Sequence, residues 1–356
     1  MRFSSRNFRI VVGLALAVVV TQIACIGTSV AAKPLTASEL IEKSSLKHHL
    51  GELEQGKIVL MERPETEMGN ELDVIMSMLV SAPLKKTVEA LQRQAGAEDL
   101  QGTIAAGHIE GSTRDELEKA FAGIAFTREE NQEVEKMMKI EAGEDFNFSA
   151  DEIRIIQHKA GEIEGKAVDG TEAAAAMSDA VRQILQGRYL SYREKGMEGL
   201  APYQIGSSKQ VHPSEELVGA TEALRLVKER FPDYHRCLLS FPETPDFGFL
   251  HQFFWEKQME SNRPLFVLKH WVLDIQPDYA LITERRYYLT HSLNSLQVVI
   301  GCLPHGNRTL VVLLNQAFTE KVNMTIGRTI AKKIGYRQVE KNIRPMFEAL
   351  QTQMDR

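Results

Sequence analysis

The spacing of hydrophobic positions changes repeatedly along this chain, and each change predicts an element. Ile10 to Val20 is almost wholly apolar, whereas Lys57–Met61 and Glu71–Val80 are short runs rich in Val, Ile and Met. The two short runs predict strands, with Arg63-Pro64-Glu65-Thr66 as the loop between them. Ser81-Ala82-Pro83 then supplies a cap and a first-turn proline, and Leu84, Val88 and Leu91 follow at helical spacing. From Gly102 to about Phe231 the texture is helical. Thr113 with Glu116, Thr127 with Glu130 and Ser149 with Glu152 each fit the capping box, in which hydroxyl and carboxylate satisfy orphan amides reciprocally. Ile153, Ile156, Ala160 and Ile163 keep one stripe, and Ala173–Met177, Val181, Ile184, Leu185 and Tyr189 predict a longer helix. Leu217, Ala220, Leu224, Val227 and Phe231 predict another, closed by Pro232.

The pattern switches at Pro242. Phe249–Lys257, Pro264–Ile275, Tyr279–Leu293, Leu296–Leu303 and Thr309–Phe318 are aromatic and β-branched, with turn-forming residues near most junctions. Five such runs in succession predict an antiparallel meander. Met324–Leu350 closes the chain as a long helix with Ile326, Ile330 and Ile334 on one stripe, which Gly335 and Pro345 should kink or end early. The expected fold is α+β, a curved antiparallel sheet of about seven strands gripping the long C-terminal helix, with a large helical insertion. In segments, residues 1–32 form a leader, 33–100 the first strands and helix, 101–241 the insertion, and 242–356 the sheet and final helix.

The junction Met76-Ser77-Met78-Leu79-Val80-Ser81-Ala82-Pro83-Leu84 resembles the first strand, small-residue-proline turn and first helix of the START and polyketide-cyclase-like superfamily. That resemblance implies a helix-grip fold, in which a bent sheet wraps a C-terminal helix around an apolar cavity. The chain as a whole is also similar to a family of uncharacterised exported bacterial proteins, on three segments. These are Phe146-Asn147-Phe148-Ser149-Ala150-Asp151-Glu152-Ile153, Arg188-Tyr189-Leu190-Ser191-Tyr192-Arg193 and Glu284-Arg285-Arg286-Tyr287-Tyr288-Leu289-Thr290-His291-Ser292. The family carries no established activity to transfer.

The first thirty-odd residues bear on compartment. Arg2, Arg6 and Arg9 precede the apolar run, and Val30-Ala31-Ala32 presents small residues before Lys33, the tripartite layout of a secretory signal peptide. The run is short for a spanning helix, so an exported chain, most simply periplasmic, is expected. Gln22-Ile23-Ala24-Cys25 resembles a lipobox and leaves open a membrane-anchored lipoprotein through Cys25. Cys237 and Cys302 are the remaining cysteines, either a disulfide or two buried thiols. A net charge of −6, made more acidic by loss of the leader, argues against a nucleic-acid partner.

Candidate chemistry gathers on the meander. Glu284, Arg285, Arg286, Tyr287, Tyr288 and His291 form a dense polar group, with His251, Trp255 and His270 on the two preceding strands. Strict alternation puts Arg285, Tyr287 and His291 on one face and Glu284, Arg286 and Tyr288 on the other. With tight turns centred near Ser261 and Pro277, His270 lies beside Arg285 and shares its face with His251. No HxH or HExxH spacing supports a metal, and no GxSxG, Walker loop, GxGxxG or CxxC is present. The expected role of His251, Trp255, His270, Arg285, Tyr287 and His291 is a polar lining that orients a hydrophobic or lipid-like ligand, without cofactor or covalent chemistry. A hydrolase or isomerase using His270 or His291 as base, and a ligand-free envelope scaffold, are the other readings. Arg328, Lys332, Lys333, Arg337, Lys341 and Arg344 make the last helix basic, which suits either a solvated face or peripheral contact with a membrane.

Overall fold

The computed structural model describes residues 35–354 apart from 63–69, 96–101, 142–144, 164–169, 207, 244, 246 and 321–327. The leader, Cys25 and Ile326 therefore lie outside the described residues, as do the side chains of Ile330 and Ile334. In chain order the helices and strands are α1 (Ala37–Lys43), α2 (Leu50–Glu54), β1 (Val59–Glu62), β2 (Glu71–Val80), α3 (Leu84–Ala95) and β3 (Thr103–His108). Then come α4 (Arg114–Ala120), α5 (Asn131–Met138), α6 (Ala150–Ile163), α7 (Gly170–Lys195), β4 (Tyr203–Ile205), β5 (Lys209–Val211), α8 (Pro213–Glu222), α9 (Arg225–Arg230) and α10 (Pro232–Ser240). The chain continues as β6 (Leu250–Glu260), β7 (Arg263–Ile275), β8 (Ala280–Leu289), β9 (Ser295–His305), β10 (Arg308–Phe318) and α11 (Arg328–Met354).

Eight strands form one antiparallel sheet in the order β1-β2-β10-β9-β8-β7-β6-β3. The five-strand meander is present as expected. Ser261 and Asn262 both take positive φ (52° and 62°) in the two-residue turn that pins β6 against β7. The eighth strand, β3, corrects the expectation of about seven strands and of helix from Gly102 onward. Its run Thr-Ile-Ala-Ala-Gly-His is short and poor in large apolar residues, so its pattern is weak, and its place beside β6 is shaped by packing. A Cβ at Gly107 would collide with the Trp255 indole.

Alternation gives the sheet two buried faces. On one, Met76 and Met78 of β2, Val311 and Leu313 of β10, Ile300 and Cys302 of β9, Ile282 of β8 and Trp271 of β7 cluster with α3 and with Phe347 and Leu350 of α11. On the other, Leu79, Val272, Leu281, Val299 and Leu310 pack on α1 and α10. Phe253, Trp255, Phe266, Leu268, Tyr287 and Tyr288 continue that second face beneath the helices of the insertion. At about 1.5 to 3 kcal/mol for each large side chain removed from water, both layers contribute heavily to folding. Segments that the sequence separates at residues 101 and 242 thus share cores, within one unit running Pro34–Arg356.

All three capping boxes form, with Glu116, Glu130 and Glu152 each accepting from the cap amide. The single helix expected over 217–231 is instead split into α8 and α9, because Leu224 leaves helical geometry (ψ 59°) and is buried. The last helix is not ended at Gly335 or Pro345 but runs through both to Met354. Among its described side chains, Tyr336, Val339, Ile343, Met346, Phe347, Leu350 and Met354 form the sheet-facing stripe at three- and four-residue intervals. Cys237 and Cys302 are buried free thiols in different clusters on opposite faces, so the disulfide alternative does not hold.

Candidate functional site

The register of β6, β7 and β8 builds a polar chain on the insertion side. His270 pairs with Arg285 across the β7–β8 ladder, and His251 pairs with Val272, which brings the two histidines into diagonal contact. His251 Nδ1 lies 2.9 Å from His270 Nε2, and His270 Nδ1 lies 2.9 Å from the Tyr192 hydroxyl of α7. Arg285, only 1% exposed, donates from Nη1 to Tyr192 Oη and from Nη2 to Thr221 Oγ1 and the Leu238 carbonyl; Nε and Nη2 both reach Gln297 Oε1. Neutral acceptors on α7, α8, α10 and β9 thus hold a buried cation with no carboxylate among the described residues in contact.

Donor chemistry fixes the protons in this chain. A guanidinium only donates, so the Tyr192 hydroxyl accepts from Arg285 and gives its own hydrogen to His270 Nδ1. Neutral His270 then carries its hydrogen on Nε2 and donates to His251 Nδ1. His251 in turn holds its hydrogen on Nε2, 3.7 Å from Cys237 Sγ. Burial, reinforced by His251 and Arg285, holds His270 well below the usual imidazole range, so the neutral form persists. Burial also raises the Tyr192 hydroxyl, against the pull of Arg285.

The other residues singled out by sequence lie in or beside the same core. Trp255 donates from its indole to the Ala120 carbonyl at 2.8 Å. Tyr287 stacks on Tyr192 with ring centroids 4.0 Å apart, and its hydroxyl is closed off without a hydrogen-bond partner. His291 stands past the end of β8, with Nε2 on the Pro264 carbonyl (3.1 Å) and Nδ1 on Ser292 Oγ (2.6 Å), away from the His270 chain. Tyr288 corrects the strict alternation. Leu268 pairs with Tyr288 but Lys269 with Arg286, so Tyr287 is an extra residue and both tyrosines turn into the insertion-side core. The expected interior of the grip was the α11 side; the structure puts His251, Trp255, His270, Arg285 and Tyr287 on the opposite face.

The face under α3 and α11 carries a different polar group. Lys269 Nζ lies 2.6 Å from Glu256 Oε1 and 3.6 Å from Glu284 Oε2. Arg286 Nε donates to Glu284 Oε1 at 2.7 Å, and the Trp271 indole donates to Glu284 Oε2 at 2.9 Å. Burial opposes the charge on Glu284, but Lys269, Arg286 and the indole outweigh it and hold the carboxyl at about 2. Among the described residues Arg286 hydrogen-bonds only through Nε, and its side chain is 26% exposed. Phe254, Glu284, Arg286 and Val298 all keep partial exposure although they lie on strands interior to the sheet. Their insertion-side neighbours Arg285, Tyr287 and Gln297 are sealed. Sequence reasoning missed Lys269, Glu256, Tyr192, Thr221 and Gln297. Lys269 had a signal, an ionisable residue inside the apolar run Val267 to Leu273; Tyr192, Thr221 and Gln297 had none without the register and the docked helices.

Two pockets lie away from both groups. One of about 240 Å³ sits between β6, β7 and the start of α5, and another of about 830 Å³ lies beside α8. No described helix is long and apolar enough to cross a membrane.

Comparison with known proteins adds little. No family model matches the chain, and no curated protein matches it. Among solved structures, a crystal structure of Ara h 8.0201 is similar at 12% identity and a TM-score of 0.22, over 39% of this chain and 88% of that one.

Proposed function

We propose that this is an exported, most simply periplasmic, protein whose sheet and α11 enclose a hydrophobic, lipid-like ligand without covalent chemistry. One observation carries the reading: beneath α11 the interior strands keep Phe254, Glu284, Arg286 and Val298 partly accessible, whereas Arg285, Tyr287 and Gln297 beside them on the other face are sealed. Phe254, Trp271 and Val298 would meet an apolar chain there. Arg286, whose terminal nitrogens make no hydrogen bond to a described residue, would meet its polar end. The sealed Arg285–Tyr192–His270–His251 chain serves in this reading to dock the insertion, since Arg285 alone ties α7, α8 and α10 to the sheet.

Extraction of the purified protein with organic solvent, followed by mass spectrometry, should recover one amphiphile per chain. Val298→Trp, which fills the accessible face, should abolish its recovery while leaving the protein folded. Recovery of no ligand from the parent protein, or equal recovery from Val298→Trp, contradicts the proposal. The leader layout supports export, with cleavage before Lys33 expected from Val30 and Ala32. N-terminal sequencing of the mature protein should begin at Lys33, and a blocked terminus at Cys25 would point to the lipoprotein instead.

A further inference from the structure

We infer that the polar end of the ligand beneath α11 is a single carboxylate, gripped by the outer edge of the Arg286 guanidinium, so that the ligand is a free long-chain carboxylic acid and not a phospholipid. This rests on the reading that the α11 side of the sheet takes a lipid-like molecule.

Arg286 leaves one edge of its fork open. It pairs with Lys269 on β7 and with Leu296 on β9, on strands interior to the sheet. Its Nε donates to Glu284 Oε1 at 2.7 Å, which anchors the guanidinium at its inner end. Glu284 accepts in turn from the Trp271 indole at 2.9 Å, and its carboxyl, lying at about 2, stays ionised at neutral pH. Nη1 and Nη2 make no hydrogen bond with any described residue, and the side chain is 26% exposed. Two adjacent N–H groups on that edge match the two oxygens of a carboxylate.

Charge narrows the class. Lys269 Nζ lies 2.6 Å from Glu256 Oε1 and 3.6 Å from Glu284 Oε2, so it is already engaged and offers no second cation to a ligand. Lys269 and Arg286 together balance Glu256 and Glu284, which leaves the group neutral. A singly charged head group gains the open guanidinium edge against little repulsion, whereas a phosphate monoester would bring a second negative charge beside two carboxylates. A phosphodiester has one charge but carries further polar atoms beyond its two free oxygens. Those atoms would lie against Leu296, Val298 and Phe254, the apolar side chains around Arg286 in the strand register, and would lose water without gaining donors. A carboxylate leads into methylene groups at its next atoms, and these are what such side chains cover favourably.

Titration of the full mature chain with dibrominated stearate and with its methyl ester, followed by quenching of the protein's tryptophan fluorescence, tests the inference. The acid should bind about tenfold more tightly than the ester, the difference expected for a hydrogen-bonded charge pair at a partly exposed site. Arg286→Leu should bring the acid down to the level of the ester. Should that variant fail to fold, Arg286→Lys, which keeps the charge and removes the fork, should weaken the acid by about threefold. Equal affinities of acid and ester for the parent protein overturn the inference while leaving a lipid-like ligand beneath α11, and so does an affinity for the acid that survives the Arg286 variants. Tighter binding of a monoacyl phosphatidylglycerol than of the acid, measured by displacement of the brominated probe, would assign the site to phosphodiesters and overturn it too. If neither probe quenches, the ligand reading itself fails, and the inference with it.

Discussion

Two buried titratable residues pull the stability of this protein in opposite directions with pH. Burial raises the Glu216 carboxyl to about 7, against the hydrogen bonds from Asn294, Ser295 and Asn70. Its folded-state value lies above the ordinary one of 4.5, so its contribution is full below that value and is lost as pH climbs through about 7. His270 behaves inversely. Its folded-state value lies well below the ordinary 6.5, so the unfolded chain takes up the proton first and stability is lost as pH falls below 6.5. Below pH 6.5 the two residues therefore work against each other. Urea denaturation across this range, with each variant compared to the parent protein, separates the two. Glu216→Gln should lose stability on acidification, and His270→Asn should lose it as pH rises toward 7. Matching profiles for the two variants would contradict these assignments. The partnership of His270 with Arg285 and His251 was readable in the sequence, because Ser261-Asn262 and Pro277 mark tight turns that fix the register. Which helices covered that face was not readable, because Val267, Leu268, Val272 and Leu273 are apolar on both sides of β7 and give no cue to what each side meets. The extra residue at Tyr287 was equally silent, since a bulge leaves no mark in a run of large side chains.

Among the elements, α11 shows how packing overrides local signals. Gly335 and Pro345 both argue for a break, yet the helix continues, and Gly335 lies where a Cβ would strike the Leu72 side chain. The stripe that anchors its described part centres on Phe347 and Leu350, both fully buried against the sheet and α3. Phe347→Ala should cost about 3 to 5 kcal/mol in urea denaturation, the usual loss for a fully buried aromatic ring. Ile343→Ala, at a partly buried position on the same stripe, should cost clearly less. Equal losses would mean that the helix end carries no special share of the core. The meander strands were legible because aromatic and β-branched runs of suitable length alternate with turn residues. Strand β3 and the α8–α9 break were not, since the first rests on its fit against Trp255 and the second on burial of Leu224, neither of which is a local property.

At the scale of the molecule, the sheet has helices on both faces, and the two sides are finished differently. The insertion docks through a sealed network centred on Arg285, whereas the α11 side presents Lys269, Glu256, Glu284 and Arg286 beside partly accessible apolar residues. The protein's two tryptophans report on one side each, Trp255 on the insertion face and Trp271 on the α11 face. The most direct test of the ligand proposal is therefore fluorescence quenching by a dibrominated stearate in two single-tryptophan variants. Trp255→Phe, which retains Trp271, should show saturable quenching at one equivalent, and Trp271→Phe, which retains Trp255, should show none. Quenching of Trp255, or of neither indole, would contradict a ligand site beneath the last helix.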